Sequence, residues 1–473
     1  MKKLIKIVSC MIATLTLALG VSACDVEFTT VTVTSVEKTA TDGLVDTYTI
    51  TYSNGSQSTF EVTNGQDGQD GKDGETGQDG KDGQDGQDGA LTVDDLFAEY
   101  KRLYGDMEYS QFLALYFSIG EKEYTAVHST MLSTARVYSQ FPEIDDTTKK
   151  AKTAMYTGAA VLYKLTDEYA YFLTNYHVVY DKASTDEKIC ANPYVYLYGS
   201  ASGPSKTDDK VDYGEYAIET TYVGGSISYD MALLRANKAD VLAINENVKE
   251  ITLAQDYKVS ETAIAIGNPE GYGISVTKGI VSVDSENIKL NMDGSMTRTY
   301  RSMRMDTSVY GGNSGGGLFN ANGELIGLVN AKSTENDNMT YAIPLDRVRA
   351  CAENLFRNQA DKKLKTVVFG FSMTAQNSKY TYDNAKGYGK ITEETIVSKV
   401  DEDSVADKIG LQEGDVLTKL TIGEKEYPLT RAYQFTEYRL YIKTGDSVFI
   451  TYERDGQTYT TEELIVSALD EID

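Results

Sequence analysis

From Gly65 to Gly89 a glycine falls at every third position, separated by polar pairs such as Gln-Asp and Lys-Asp. No such stretch can enter a packed core. It has no apolar side chains to bury, its acids outnumber Lys72 and Lys81, and the spacing suits only an extended chain of polyproline-II type. Whatever folds must therefore fold separately on either side of it. The stretch contains no proline to stiffen it, and it reads as an acidic, extended spacer rather than a stable multi-chain helix.

Upstream, Lys2, Lys3 and Lys6 precede a short apolar run from Met11 to Leu19, which ends at Gly20 and is too short to span a bilayer comfortably. That is the pattern of a secretory leader. Residues 27 to 63 alternate β-branched or aromatic residues with polar ones, with Ser53-Asn54-Gly55 as a turn, and predict a β-hairpin segment. The chain has 473 residues, which suggests roughly three units of about 150 residues. Its formal net charge of -26, from 71 acids against 45 Lys and Arg, excludes a nucleic-acid partner and disfavours adsorption to acidic lipid.

Downstream of the spacer, Thr92 precedes a helical pattern through Leu96, Phe97, Tyr100, Leu103 and Tyr104. From about residue 122 to 345 short apolar runs alternate with Gly, Asn and Asp. The expected strands include Ala159 to Leu165, Tyr169 to Thr174, Tyr194 to Tyr198, Met231 to Arg235, Thr262 to Ile266, Ile274 to Val283, Thr297 to Met305, Gly316 to Asn320 and Leu325 to Asn330. Many short strands and few helices predict a mainly β sandwich or barrel pair. A helical run from Leu345 to Phe356 closes the block, Lys362-Lys363 marks a linker, and a mixed domain occupies about 366 to 468. Cys190 and Cys351 are the cysteines of these folded parts. A disulfide between them is compatible with an oxidising compartment, and sequence does not decide whether they meet. No metal site and no cofactor are expected.

Only two histidines are present, which limits any mechanism built on a histidine base. His128 has no motif around it and reads as structural. His177 ends the apolar run Phe172-Leu-Thr-Asn-Tyr-His. Asp230 stands at the mouth of the run Met231-Ala-Leu-Leu, and Ser314 lies in Tyr310-Gly-Gly-Asn-Ser-Gly-Gly-Gly. Glycines around a serine let successive backbone N–H groups converge on one point, here those of Gly312 and Ser314, where an oxyanion could sit. A carboxylate beside a histidine can orient its ring and stabilise imidazolium. Each piece alone is weak; the order His, Asp, Ser within one all-β block is far more specific.

These segments resemble HtrA-type serine proteases. Thr174-Asn-Tyr-His-Val-Val, Asp230-Met-Ala-Leu-Leu, the glycine-rich Ala263 to Gly273, Thr277-Lys-Gly-Ile-Val-Ser, Asp306 to Gly316 and Tyr341-Ala-Ile-Pro each resemble a motif of that family. The resemblance implies a chymotrypsin-like domain of two six-stranded β-barrels, with nucleophile Ser314, general base His177 and orienting Asp230. There are departures: Gly311 and Gly317 stand where the family usually has Pro, Tyr176 replaces a smaller residue, and Ala159-Ala160 replaces a Ser-Gly pair. The polar stretch from Asp181 to Gly214 is longer than usual. Ser308 stands where basic-specific relatives carry Asp, so small or medium aliphatic P1 residues are expected. The C-terminal block resembles a PDZ domain of α/β type, in which backbone N–H groups of Phe369, Gly370 and Phe371 would receive a peptide carboxylate. Val21-Ser-Ala-Cys24 resembles a bacterial lipobox, which implies lipid on Cys24, and the glycine triplets resemble the collagen-like repeats of bacterial surface proteins.

The expected organisation is thus 1–23 lipoprotein signal peptide, 24–64 small β segment, 65–89 collagen-like spacer, 90–121 helical segment, 122–357 protease domain and 362–473 PDZ domain. The expected function is ATP-independent endopeptidase action on unfolded or exposed polypeptide, in envelope protein quality control. The expected site is the extracytoplasmic face of a bacterial cell membrane. The alternative is a chaperone-like scaffold that binds peptides with little turnover. Peptide C-termini are the expected partners of the last domain, and the resemblance allows a homotrimer.

Overall fold

The structure is a computed structural model. It describes residues 33–63 apart from 44 and 53–55, residues 97, 101 and 102, and residues 119–472 apart from 146, 185–187, 201–202, 208–209, 292–296, 334, 337 and 385–387. Cys24, the glycine-triplet spacer and most of the expected helical segment lie outside the described residues. The chain divides into two units, one ending at Ala90 and one beginning at Leu91.

In the first unit, Val33–Asp42, Val45–Tyr52 and Gln57–Thr63 form a three-stranded antiparallel sheet in sequential order. Gly43, with φ 59°, sits in the tight link between the first two strands, a left-handed conformation that glycine adopts without strain. Asp46 is buried there, accepting from Thr41 Oγ1 at 2.8 Å and paired with Lys38.

Within the second unit, the helix Ile119–Met131 precedes a seven-stranded antiparallel sheet. Its order is Ile218–Glu219, Tyr194–Leu197, Thr134–Ile144, Ala151–Leu165, Tyr169–Thr174, Met231–Asn237 and Thr221–Ser226. The two edge strands are consecutive in the chain, so the buried Thr220 closes covalently a ring that hydrogen bonds leave open. A second seven-stranded sheet does close. Glu324–Lys332 pairs with both Gly317–Phe319 and Thr340–Pro344, and the ring is completed by Thr262–Gly267, Ser275–Leu290 and Arg298–Met305. Thr252–Leu253 adds a parallel strand outside this ring. The mainly β, chymotrypsin-like pair of barrels expected from the sequence is thus present, the first closed through Thr220 and the second by hydrogen bonds around a six-strand ring.

Why the central strands read as unbroken apolar runs is clear from where their residues go. In Tyr169–Thr174, Ala170 and Phe172 fill the first barrel with Leu162, Val195 and Leu234. Their alternates Tyr171 and Leu173 join Leu233, Ile264, Phe319 and Leu328 in a core shared with the second barrel. Period two is kept, but both faces are covered, so polarity does not alternate.

Helix Leu345–Arg357 adds Val348, Cys351 and Leu355 to the shared core, which also receives Leu440 from the C-terminal module. Cys351 and Cys190 are both buried, and no disulfide joins them. In the stretch from Asp181 to Gly214, Tyr213 packs on the first sheet: its ring stacks on Tyr194 at 3.7 Å, and its carbonyl accepts from Tyr196 Oη at 2.6 Å.

After Leu364 the chain forms a sheet in the order Phe371–Asp383, Tyr388–Val400, Val416–Ile422, Ser447–Arg454 and Gln457–Thr460. Two short helices, Val405–Lys408 and Tyr433–Tyr438, cover it. Its core comprises Phe369, Val397, Leu417, Leu420, Phe435 and Ile450 among others.

Candidate active site

His177 owes its position to the end of a strand. Tyr169–Thr174 stops at Thr174, whose Oγ1 donates to Ala159 O at 2.8 Å, and the four-residue helix Tyr176–Val179 follows. Asn175, fully buried, donates from Nδ2 to Asp230 O at 3.0 Å. Asp230 stands just before Met231–Asn237, the strand paired to that of Thr174, so antiparallel pairing itself brings the two together. His177 Nδ1 lies 2.9 Å from Asp230 Oδ1 and 3.0 Å from Oδ2, and the His177 backbone N–H donates to Oδ1 at 3.1 Å.

Asp230 is 1% exposed and His177 25% exposed. An ionised carboxylate only accepts, so the proton belongs on Nδ1 and Nε2 is left as the basic nitrogen. Burial alone would depress the His177 pKa. The Asp230 charge and hydrogen bond together outweigh it, and the net shift is upward from 6.5. Asp230 adopts φ 51°, an unusual conformation for a buried non-glycine residue, so its surroundings must hold it there.

Ser314 lies on the second barrel, between two glycines with positive φ, Gly312 at 94° and Gly315 at 82°. A Cβ on Gly312 would overlap the carbonyl of Asn268, and one on Gly315 would overlap Thr174 Oγ1 and Ala159 O. The serine loop is thereby pressed against the strand end that carries His177. Ala159 N–H donates to Ser314 O at 2.8 Å, Asn313 N–H to Tyr310 O at 3.0 Å and Gly316 N–H to Asn313 O at 2.9 Å. The N–H groups of Gly312 and Ser314 have no acceptor among the described residues, as an oxyanion site requires.

The substitutions at Ala159 and Gly311 do not undo this loop, because both act through the main chain. Ala159 supplies its N–H and carbonyl, while Gly311 O accepts Glu270 N–H at 2.6 Å. Buried Asn268 was not singled out by sequence. It donates to Thr157 Oγ1 at 2.8 Å and accepts Gly273 N–H at 3.0 Å, fixing the loop that backs Gly312. Beside the serine a cleft of about 260 Å³ is lined by Glu270, Tyr272, Thr277, Tyr310 and Asn313 among others. Ser308 is exposed, and its carbonyl accepts Thr277 Oγ1 at 2.7 Å. His128 sits on helix Ile119–Met131, its ring 4.2 Å from that of Tyr124. Among the described residues no group of His, Cys, Asp and Glu is arranged to hold a metal.

In the C-terminal module Gly370 has φ 74°. The carbonyls of Phe369 and Gly370 accept Ala406 N–H at 2.8 Å and Asp401 N–H at 2.9 Å, while the N–H groups of Phe369 and Gly370 have no acceptor among the described residues. Phe369 and Phe371 pack on Phe435, at 5.3 and 5.0 Å between ring centroids.

A carboxylate-bound histidine on one barrel and a glycine-framed serine on the other are the arrangement of a trypsin-like serine peptidase. Residues 158–328 match the family model for the trypsin-like peptidase domain. Over 319 residues the chain is 30% identical to the serine protease Do-like HtrA of Lactococcus lactis subsp. lactis strain IL1403, covering 64% of this chain and 69% of that protein. It is 30% identical over 273 residues to the HtrA-like serine protease of Staphylococcus aureus strain MRSA252, covering 56% of this chain and 32% of that longer protein. Among solved structures, the HtrA-type protease AlgW with decapeptide aligns at 22% identity and a TM-score of 0.46, over 74% of this chain and 99% of that chain. The chain belongs to the HtrA family of serine proteases, and it is a serine endopeptidase.

Proposed function

We propose that this endopeptidase cleaves unfolded or exposed segments of other proteins through an acyl-enzyme, using Ser314 as nucleophile, His177 as base and Asp230 to orient it. The observation that carries the reading is the His177–Asp230 pair, bonded at 2.9 and 3.0 Å, together with the unclaimed N–H groups of Gly312 and Ser314. Ser314 Oγ attacks the scissile carbonyl carbon as its proton passes to His177 Nε2. The carbonyl oxygen, now negative, is held by the two N–H groups. Collapse breaks the C–N bond, and His177 returns the proton to the departing amine. Water then attacks the ester by the same route and restores Ser314. Digestion of a denatured protein tests this, with Ser314→Ala as the blank. Cleavage of the denatured substrate by the native chain alone is expected, and equal cleavage by the variant would remove the reading.

The free N–H groups at Phe369 and Gly370 support a second role, capture of peptide C-termini by the PDZ-like module, with the peptide adding as a strand along Phe371–Asp383. Peptides with an apolar C-terminal residue are expected to bind the full chain, and amidation of their carboxylate to weaken binding at least tenfold; unchanged affinity would exclude carboxylate capture. The lipobox-like sequence at Cys24 supports attachment to the outer face of a bacterial membrane, with envelope quality control as the setting. Cys24→Ser should then move the protein from the membrane to the soluble fraction, and a variant still in the membrane fraction would point to another anchor.

A further inference from the structure

The turn Ile227-Ser228-Tyr229-Asp230 is held from outside its own barrel. Tyr300 Oη, buried in the second barrel, donates to Ile227 O at 2.9 Å, and the same carbonyl accepts Asp230 N–H at 3.4 Å. Arg298 Nη1 reaches Ser228 Oγ at 3.4 Å. The Arg347 guanidinium, on helix Leu345–Arg357, lies 5.0 Å from the centre of the Tyr229 ring. These contacts surround the turn whose last residue carries the strained φ of 51°.

Two of the supports trace back to one side chain. Glu437, on helix Tyr433–Tyr438 of the C-terminal module, is fully buried, and its Oε1 accepts Arg347 Nε at 2.8 Å and Arg301 Nε at 3.3 Å. Arg301 follows Tyr300 in the chain. Its Nη2 donates to Asp346 Oδ1 at 2.7 Å, and its guanidinium lies 3.8 Å from the Tyr433 ring centre. Arg347 Nη1 also donates to Arg301 O at 3.4 Å, so the two arginines are bound to each other as well as to Glu437. A carboxylate with no exposure pays a large desolvation penalty unless its partners are fixed, so its loss would leave two arginines without their shared anchor.

We propose that Glu437 is a positioning residue for catalysis: by fixing Arg301 and Arg347 it holds Tyr300 and Tyr229, and through them the turn that presents Asp230 to His177. This rests on the reading of His177, Asp230 and Ser314 as the catalytic groups. With the anchor gone, Asp230 relaxes toward an ordinary backbone conformation and its carboxylate no longer meets Nδ1 squarely. The chemical step suffers while substrate binding does not.

The test uses the full chain. Glu437→Gln and, separately, Tyr300→Phe are expected to lower kcat about tenfold with KM within about twofold, since small misplacements of catalytic groups cost this much or more. The acid limb of the pH–rate profile should move to lower pH, because Asp230 is the group that holds the His177 pKa up. The groups facing Glu437 are Arg301, Arg347, Tyr229 and Cys351, and none of them faces the His177 ring. Arg431→Ala is the comparison. It breaks other ties of the same module, to Asp284 at 3.0 Å, to Glu393 at 3.2 Å and to the Tyr433 ring at 5.2 Å, but leaves Glu437 bonded to Arg301 and Arg347, and should leave kcat within about twofold. Rates are normalised to folded sites by circular dichroism and active-site titration. Should Glu437→Gln fail to fold, Tyr300→Phe, which keeps its ring, decides. Unchanged kcat and acid limb in the folded variants would overturn the proposal, as would an equal loss in Arg431→Ala. Full activity in Ser314→Ala would instead overturn the catalytic reading beneath it.

Discussion

Ser314→Ala is expected to reduce kcat by roughly 10⁶ while leaving the thermal midpoint almost unchanged, since loss of the nucleophile disables a triad that acts as a unit. The two halves of that expectation have separate origins in the structure. What folds the loop is main chain: Ser314 O accepts Ala159 N–H at 2.8 Å, and the neighbouring Gly315 N–H donates to Val329 O at 2.9 Å. Alanine keeps both. The hydroxyl makes no hydrogen bond among the described residues, so its removal should shift stability by no more than about 0.5 kcal/mol. Thermal unfolding and hydrolysis of a peptide ester, measured on one preparation, check both halves. A drop in stability large enough to account for lost activity would contradict this picture.

Asp230→Asn should lower kcat by about 10⁴ near neutral pH, the loss that follows when the orienting carboxylate becomes an amide. The amide of the variant would donate to Nδ1 rather than accept from it, so the ring proton would move to Nε2, where a base is needed. The pH dependence follows with definite sign. Catalysis needs neutral His177, and Asp230 raises its pKa above 6.5, so the native acid limb lies above the ordinary histidine value. In the variant the raising influence is gone and burial remains, so the limb moves to lower pH. The same pair stabilises the native fold below the unfolded histidine pKa, and that contribution fades as pH rises through the raised value. Profiles of kcat/KM against pH for both proteins would show it; superimposable acid limbs would mean that Asp230 does not govern His177.

Much of the architecture was legible because the strands that build the site obey local rules. Tyr169–Thr174 begins and ends where its pattern predicts, and the expected strand at Met231 only lengthens, to Asn237. Other elements were missed for identifiable reasons. Helix Ile119–Met131 carries Glu121, Glu123, Thr125 and His128 among few apolar residues, so it offers no clear apolar stripe. Strand Thr221–Ser226 contains Gly224 and Gly225, which read as a turn. The structure needs them because the Lys362 backbone and the Tyr176 ring approach too closely for a Cβ. The site residues found by motif are those to which the proposed chemistry is assigned. Those found only by structure are Asn175, Asn268 and the Tyr300–Arg301–Arg347–Glu437 group, whose contacts run to the loops around them. Arg347 and Glu437 are 90 residues apart in sequence, and no local pattern announces a pairing that only tertiary packing creates.

The most direct measurement is covalent labelling of the native chain with a fluorophosphonate, followed by mass-spectrometric location of the adduct. An activated serine beside a free oxyanion site attacks phosphorus as it would a carbonyl carbon. The adduct is expected on Ser314 alone, and it should be lost in Ser314→Ala and formed far more slowly in His177→Ala. No adduct on Ser314 in the folded native chain, or one on another serine that tracks proteolysis, would contradict the assignment.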